Sequence, residues 1–154
     1  MKKWYLAIMV LSIVLLTGFG VFRWQAQSTS SDGALRDKNR TIGSISPKEG
    51  LSIIEKNREN PNFIILDVRT PQEYSPEHIS GSINVDYYSN SFRSNLNQQD
   101  KGKTYLIYCR SGRRSGLALD VMRELSFSEV YNIAGGILAW KANSLPYLIR
   151  PNTG

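Results

Sequence analysis

The chain of 154 residues contains one cysteine, Cys109, and one histidine, His78. A single cysteine cannot form an internal disulfide, so the chain is not an oxidoreductase that works through two thiols. One cysteine and one histidine also provide no metal site by their spacing. The sequence has no internal repeats. Any chemistry that depends on a thiol must therefore be carried by Cys109 alone.

The positive charge of the chain is unevenly distributed. Residues 1–40 hold six lysines and arginines and two aspartates, so they carry +4 of the net charge of +6. The remaining residues are nearly balanced, which removes the support that a basic chain would give to nucleic-acid binding. We therefore expect no nucleic-acid partner.

The N-terminal region resembles a membrane-targeting segment. Lys2 and Lys3 precede an uncharged, mostly apolar run, residues 4–22, whose length is near the roughly 17 to 25 residues that span a bilayer. No cysteine lies near the end of the run, which excludes a lipoprotein anchor. We predict that residues 1–24 form an uncleaved signal anchor, with the lysines cytoplasmic and the following domain extracytoplasmic. A buried soluble helix is disfavoured because the run has no polar face.

A cleaved signal peptide remains the alternative for the same segment, and it would release the protein to the periplasm or the medium. Ala26-Gln27-Ser28 has the small-x-small pattern of a cleavage site, but Arg23 and Trp24 separate it from the apolar run. Residues 25–40 are rich in serine, glutamine and charge and predict a flexible linker. Residues 41–150 then form the folded domain, and residues 151–154 a tail.

Strand and helix patterns alternate along residues 41–150. Apolar runs predict strands, among them Thr41–Ile45, Phe63–Leu66, Ile83–Val85, Tyr105–Tyr108 and Val130–Ile133. Helix-start patterns predict helices after Ser46-Pro47 and Thr70-Pro71, and others around Phe92 and Leu96, after Cys109, and after Gly135-Gly136. Such alternation predicts an α/β domain of three layers, with a central parallel sheet between helices.

Cys109 lies where a buried strand ends and a helix begins. The strand Tyr105–Tyr108 leads into Cys109-Arg110-Ser111-Gly112-Arg113-Arg114-Ser115. An apolar stripe then predicts a helix that buries Leu117, Ala118, Val121, Met122 and Leu125. Ligands of open α/β sheets bind at the carboxyl ends of strands. The unpaired N–H groups of a helix start, together with nearby arginines, should lower the pKa of a thiol at this place.

Two alternatives would give this loop a cysteine that is not a reactive nucleophile. A buried structural cysteine is a common fate of a free thiol, but an apolar pocket would not be ringed by three arginines and two serines. An anion-binding loop with an incidental cysteine is the second. Arg113 and Arg114 stand at a helix start, where cations are unfavourable. A local rule broken beside a lone cysteine favours a functional site.

Four motifs resemble the single-domain rhodaneses, which are sulfurtransferases. The loop Cys-Arg-Ser-Gly-Arg-Arg-Ser is similar to their Cys-x-x-Gly-x-Arg/Ser-Ser. Leu66–Arg69 resembles their Asp-Val-Arg strand end, and Glu73-Tyr74 with residues 78–84 their Glu-Tyr … His-Ile-x-Gly-Ala-x-Asn segment. Ala134–Gly136 followed by Trp140 resembles their Gly-Gly…Trp ending. The likeness covers about residues 41–148, with Glu77 and Ser82 replacing the usual Gly and Ala.

The resemblance implies a rhodanese-like fold and transfer of sulfane sulfur through a persulfide on Cys109. The donor would be a small anion such as thiosulfate, and the acceptor cyanide, a thiol or a protein. Residues 110–115 would bind the donor: Arg110, Arg113 and Arg114 by charge, and Ser111, Gly112 and Ser115 as part of the loop whose N–H groups stabilise the persulfide. No cofactor or metal is implied, and the domain is expected to be monomeric.

Two other functions compete with this one. Related folds use Cys-x5-Arg loops to bind phosphate, but that pattern needs arginine at position 115, where this chain has Ser115. The other is a membrane-tethered sulfur carrier or partner-binding module with little turnover. The intact cysteine argues against an inactive domain but does not establish a catalytic rate.

The remaining polar residues are given structural roles with functional alternatives. Asp67 is either a general base or a supporting residue that pairs with an arginine; the resemblance favours support. Arg69 and Glu73, four residues apart, are predicted to form an ion pair. His78 is either a partner of the Cys109 nucleophile or a hydrogen-bonded histidine near a turn, and we favour the second.

The first testable prediction concerns location. Deleting residues 1–40 should give a soluble, monomeric domain with an unchanged sulfurtransferase rate, because every motif lies in residues 41–154. The 154-residue chain should fractionate with membranes and resist high-salt extraction, and external protease should digest it. Salt-extractable protein would instead indicate adsorption through the basic N-terminal residues 1–40. Protection from protease would show that the orientation is reversed.

Overall fold

The computed structural model describes residues 40–149. The predicted signal anchor (1–24), the linker up to residue 39 and the tail (151–154) lie outside the described residues. Within residues 40–149, no helix has the length and apolar character needed to cross a membrane.

Five parallel strands form the central sheet, in the order β1-β6-β5-β2-β4. Their bounds are β1 Thr41–Ile45, β2 Phe63–Asp67, β4 Ser82–Asn84, β5 Thr104–Tyr108 and β6 Glu129–Ile133. Each corresponds to a predicted strand within about a residue at either end. Because all five run in one direction, the ends of β2, β4, β5 and β6 share one edge, and Cys109 follows β5 there.

A second, antiparallel sheet pairs β3 (Glu77–His78) with β7 (Leu148–Ile149). The sequence did not predict it, because two-residue strands show no periodicity. Glu77 lies in β3, and its carboxylate lies 2.8 Å from Lys141 Nζ.

Helices cover both faces of the central sheet. They are α1 Pro47–Lys56, α2 Pro71–Tyr74, α3 Phe92–Asn97, α4 Arg113–Glu124 and α5 Gly136–Ala142. Helices α1 and α5 pack together on one face, and α4 packs on β1, β5 and β6 from the other. The predicted α/β domain with a central parallel sheet is therefore confirmed, including helices on both faces.

Alternate residues of β5 enter two separate cores. Tyr105 and Ile107 pack with α3 and α4 on one side of the sheet. Leu106 and Tyr108 pack with α1 and α5, around the buried Trp140, on the other. These four side chains are fully buried, as expected for a strand inside a parallel sheet. Packing on both faces fixes the end of β5, and with it Cys109.

Both predicted helix starts are capping boxes. Ser46 caps α1 by accepting a hydrogen bond from the N–H of Glu49, whose carboxylate bonds back to the Ser46 N–H. Thr70 and Glu73 make the same reciprocal pair at the start of α2. In each, a proline follows the cap, where its missing N–H is not needed.

The buried face of α4 differs from the predicted stripe. Leu117 is 45% exposed, whereas Leu119, which the prediction omitted, is 6% exposed. The buried positions are Ser115, Ala118, Leu119 and Met122. The face is rotated because Ser115, a polar residue that a hydrophobic pattern passes over, turns inward to the Cys109 sulfur.

This correction predicts different costs for two leucine truncations on one helix. Leu119→Ala should reduce the free energy of unfolding by about 2–4 kcal/mol, because it leaves a cavity under α4. Leu117→Ala, one turn after Arg113, should change it by less than about 1 kcal/mol. Urea denaturation followed by circular dichroism measures both. Equal losses would mean that Leu117 is buried in solution.

Candidate active site

Cys109 lies at the carboxyl edge of the sheet, between β5 and α4, as predicted. Its side chain is 1% exposed. The sulfur accepts a hydrogen bond from the Gly112 N–H, with N···Sγ 3.1 Å. The Ser115 hydroxyl donates a second, with Oγ···Sγ 3.4 Å. The loop is thus wrapped around the sulfur, with polar groups directed at it.

These hydrogen bonds change the acidity of the thiol. Burial raises the pKa of Cys109, but the Ser115 hydroxyl and the N–H groups of Ser115, Ser111 and Gly112 lower it, and the net pKa lies below the ordinary value. Hydrogen bonds to a thiolate favour the charged form. The lowered pKa of Cys109 is thus due first to Ser115 and the loop backbone, and Arg114 interacts favourably with the charged sulfur.

The first turn of α4 has an unusual cap. Gly112 is the N-cap residue and adopts a left-handed conformation with φ of +87°, and no side chain caps the helix. A helix N-terminus normally needs an acceptor for its free N–H groups. Here the Cys109 sulfur lies at the start of the helix, where it accepts from the Gly112 N–H and the Ser115 hydroxyl. The polar start of the helix and its first turn therefore favour a thiolate.

The N-terminus of α5 holds the other side of the loop. The N–H of Ile137 donates to the Cys109 carbonyl (2.8 Å), and that of Leu138 to the Arg110 carbonyl (3.1 Å). Gly136, with φ of +58°, lies so close that a Cβ atom there would be 2.7 Å from the Arg110 carbonyl oxygen. Only glycine fits this contact. The Gly-Gly motif thus sets the position of the Cys109 backbone.

A cavity of about 330 Å³ lies beside the loop. Its lining residues are Glu73, Tyr88, Arg110, Ser111, Arg113 and Arg114. Arg110 and Arg113 are exposed, and neither side chain makes an ion pair with another of residues 40–149. The arrangement suits a small anion, because guanidinium groups bind anions by charge and hydrogen bonds.

Arg114 differs from the other two arginines because Glu73 holds it. Its two terminal nitrogens lie 2.7 and 2.8 Å from the two Glu73 carboxylate oxygens. This contact overturns the predicted Arg69–Glu73 pair. Arg69 precedes α2, so the spacing of four residues does not lie on one helix and brings no contact.

Arg69 pairs instead with Asp67, which is fully buried at the end of β2. The Asp67 carboxylate accepts from the Arg69 side chain at 2.7 Å and from the Arg69 N–H at 2.9 Å. Arg69 also donates to the Glu77 carbonyl at 2.6 Å. These bonds fix the chain between β2 and β3. They agree with a supporting role for Asp67 rather than with a role as a general base that faces a substrate.

His78 is a hydrogen-bonded histidine near a turn and not a partner of the Cys109 nucleophile. It is buried in β3, its Nδ1 lies 3.0 Å from the Tyr74 carbonyl oxygen, and its ring stacks on Tyr74. The hydrogen bonds to the Cys109 sulfur come from Gly112 and Ser115.

Three parts of the site do not follow from the sequence patterns. Tyr88 has no role in the sequence analysis, yet it lines the cavity and its ring lies 5.4 Å from the Arg114 guanidinium. Glu73 pairs with Arg114 and not with Arg69. The contact between the Gly-Gly turn and the loop was also missed. The only sequence signals were the capping box that contains Glu73 and the pair of glycines.

A model of the rhodanese-like domain matches residues 51–143. The chain belongs to the rhodanese-like family. The match includes the cysteine loop, the Asp67–Arg69 segment and the Gly-Gly turn. The resemblance drawn from the sequence motifs is thereby confirmed at the level of the family, although it does not extend to the N-terminal segment.

Three relatives share about a third of their aligned residues with this chain. An uncharacterized protein from Synechocystis, slr1261, is 36% identical over 77% of this chain and 63% of its own length. The thiosulfate sulfurtransferase PspE of Escherichia coli is 38% identical over 47% of this chain and 68% of its own length. The thiosulfate:glutathione sulfurtransferase of Saccharomyces cerevisiae is 32% identical over 76% of this chain and 92% of its own length. The chain thus spans just under two thirds of the Synechocystis relative.

Solved structures of rhodanese-like proteins are similar to the described domain. A rhodanese-related protein from Thermoplasma volcanium has a TM-score of 0.58 and 25% identity, covering 70% of this chain and 98% of its own. An uncharacterized protein from Saccharomyces cerevisiae has a TM-score of 0.57 and 32% identity, covering 66% and 92%.

The geometry of this rhodanese loop predicts that Ser115 helps to acidify Cys109. In Ser115→Ala, the midpoint of the pH profile for Cys109 alkylation by iodoacetamide should move to higher pH, because the thiolate loses a hydrogen bond. Ser111→Ala is the matched control, since Ser111 contributes its backbone N–H and not its hydroxyl. An unmoved midpoint in Ser115→Ala would show that backbone N–H groups alone set the acidity.

Proposed function

We propose that this protein is a sulfurtransferase that moves sulfane sulfur from a small anionic donor, such as thiosulfate, to a thiol acceptor through a persulfide on Cys109. One observation carries the proposal: the Cys109 sulfur receives hydrogen bonds from its own loop beside a cavity lined by three arginines. A nucleophile with a lowered pKa and an adjacent anion site are the two requirements of this reaction.

The first half-reaction uses the Cys109 thiolate as the nucleophile. It attacks the outer sulfur of thiosulfate, a new S–S bond forms, and the S–S bond of the donor breaks. Sulfite leaves with the electron pair of that bond, and the enzyme holds a Cys109 persulfide anion. Arg110 and Arg113 balance the charge of donor and leaving group, while the loop N–H groups stabilise the persulfide.

The second half-reaction regenerates the thiolate. An acceptor thiolate attacks the outer sulfur of the persulfide, so that the acceptor leaves as a persulfide and Cys109 recovers the electron pair. No metal, cofactor or general base enters either half. The two halves follow each other through a covalent intermediate, which predicts ping-pong kinetics.

The relatives support this donor and acceptor class. PspE is named for thiosulfate, and the yeast protein for thiosulfate and glutathione, a small thiol. The phosphatase alternative has less support, because the position where that loop pattern requires arginine is Ser115. The Ser115 hydroxyl is buried and donates to the sulfur itself.

The proposal predicts a covalent intermediate that can be isolated. Protein treated with thiosulfate and freed of small molecules should gain the mass of one sulfur atom, located on Cys109 by peptide mass spectrometry. Later addition of glutathione should remove that mass and release glutathione persulfide. Cys109→Ser should gain nothing. An unmodified Cys109 after exposure to thiosulfate would refute the proposed reaction for this donor.

A further inference from the structure

The cavity beside the Cys109 loop is lined by one acidic residue as well as by arginines. Arg110, Arg113 and Arg114 supply three positive charges, and Glu73 supplies a negative charge. A carboxylate weakens the binding of an anionic donor to such a cavity, because the two negative charges repel each other. The position of Glu73 therefore requires an explanation beyond attraction of the donor.

Glu73 takes up the part of Arg114 that would bind an anion. Both terminal nitrogens of the guanidinium face the two carboxylate oxygens, in the two-point geometry that arginine also uses for oxyanions. The Tyr88 ring lies 5.4 Å from the guanidinium carbon. Arg114 thus offers an anion neither this pair of donors nor its full charge, whereas Arg110 and Arg113 make no ion pair with another of residues 40–149.

Glu73 is itself held in place by α2. Its N–H donates to the Thr70 hydroxyl, and its carboxylate accepts from Thr70 in return. The hydrogen bonds from Arg114 are the main reason that its pKa is lowered to about 2, so it stays charged at every ordinary pH. The charge is therefore a permanent feature of the cavity and not a response to pH.

We propose that Glu73 is a specificity-determining residue, which sets how strongly the Cys109 site prefers anionic to neutral sulfur compounds by occupying Arg114. Sulfite leaves with the same charge as thiosulfate. A more cationic cavity would therefore bind the substrate and the product more tightly to a similar extent, and such uniform binding does not speed the chemical step. Glu73 weakens the binding of both anions.

The inference rests on the proposed function for its sulfur donors, but the charge effect can be measured without sulfur transfer. The readout is the ratio of Cys109 alkylation rates with iodoacetate, an anion, and iodoacetamide, its neutral counterpart. The thiolate fraction cancels in this ratio. In Glu73→Gln the ratio should rise about threefold to tenfold at low salt, since one negative charge is removed and the guanidinium is released.

Two controls separate charge from structure. Glu73→Gln keeps a residue that completes a capping box, and Glu49→Gln makes the same change in the capping box of α1. Glu77→Gln breaks an ion pair of similar exposure, since Glu77 and Glu73 are 30% and 29% exposed. Neither control should change the ratio. Glu73→Ala, which also removes the cap, should shift it in the same direction as Glu73→Gln.

The 154-residue chain is used for every variant, and the steady-state assay forms the second arm. Glu73→Gln should lower the thiosulfate KM and the sulfite inhibition constant together. An unchanged alkylation ratio in Glu73→Gln and Glu73→Ala, or an equal rise in Glu77→Gln, overturns the role of Glu73 even if sulfur is transferred. A raised ratio in a protein that transfers no sulfur supports the role of Glu73 and overturns the proposed function.

Discussion

The sulfur of Cys109 accepts hydrogen bonds at the start of α4, where no side chain caps the helix. Gly112 contributes an N–H at 3.1 Å and Ser115 a hydroxyl at 3.4 Å. Hydrogen bonds to a charged acceptor are the stronger ones, so this contact stabilises the fold most when the sulfur is a thiolate. Helix formation and thiolate formation therefore favour each other, and the acidity of the nucleophile is a consequence of the local fold.

That contact depends on backbone shapes that only glycine adopts easily. Gly112, Gly135 and Gly136 all have positive φ angles. A Cβ at Gly112 would lie 2.9 Å from the Gly135 nitrogen, and one at Gly136 would meet the Arg110 carbonyl. The two turns are pressed against each other, and α5 donates two N–H groups to the loop. The Gly-Gly motif thus acts on the chemistry from the far side of the cysteine.

Most of the fold was predictable because its signals are local. Continuous apolar runs indicated β2 and β5, and Ser46-Pro47 and Thr70-Pro71 indicated helix starts that form as capping boxes. The small β3–β7 sheet was not predictable, since its pairing joins residues about seventy apart. The burial of Ser115 in α4 was not predictable from the hydrophobic pattern either. It depends on the hydrogen bond from its hydroxyl to the Cys109 sulfur.

The candidate site was predictable in its nucleophile and only partly in its charges. A lone cysteine between a strand and a helix can be recognised from sequence, because position alone gives it an electropositive environment. The pairing of an arginine with Asp67 was expected, because its partner Arg69 is close in sequence. The Glu73–Arg114 pair was not, since it joins residues that only the fold brings together. The three arginines of the loop look equivalent in sequence. In the fold they are two available cations and one that a carboxylate holds, and this difference determines the charge that a donor meets.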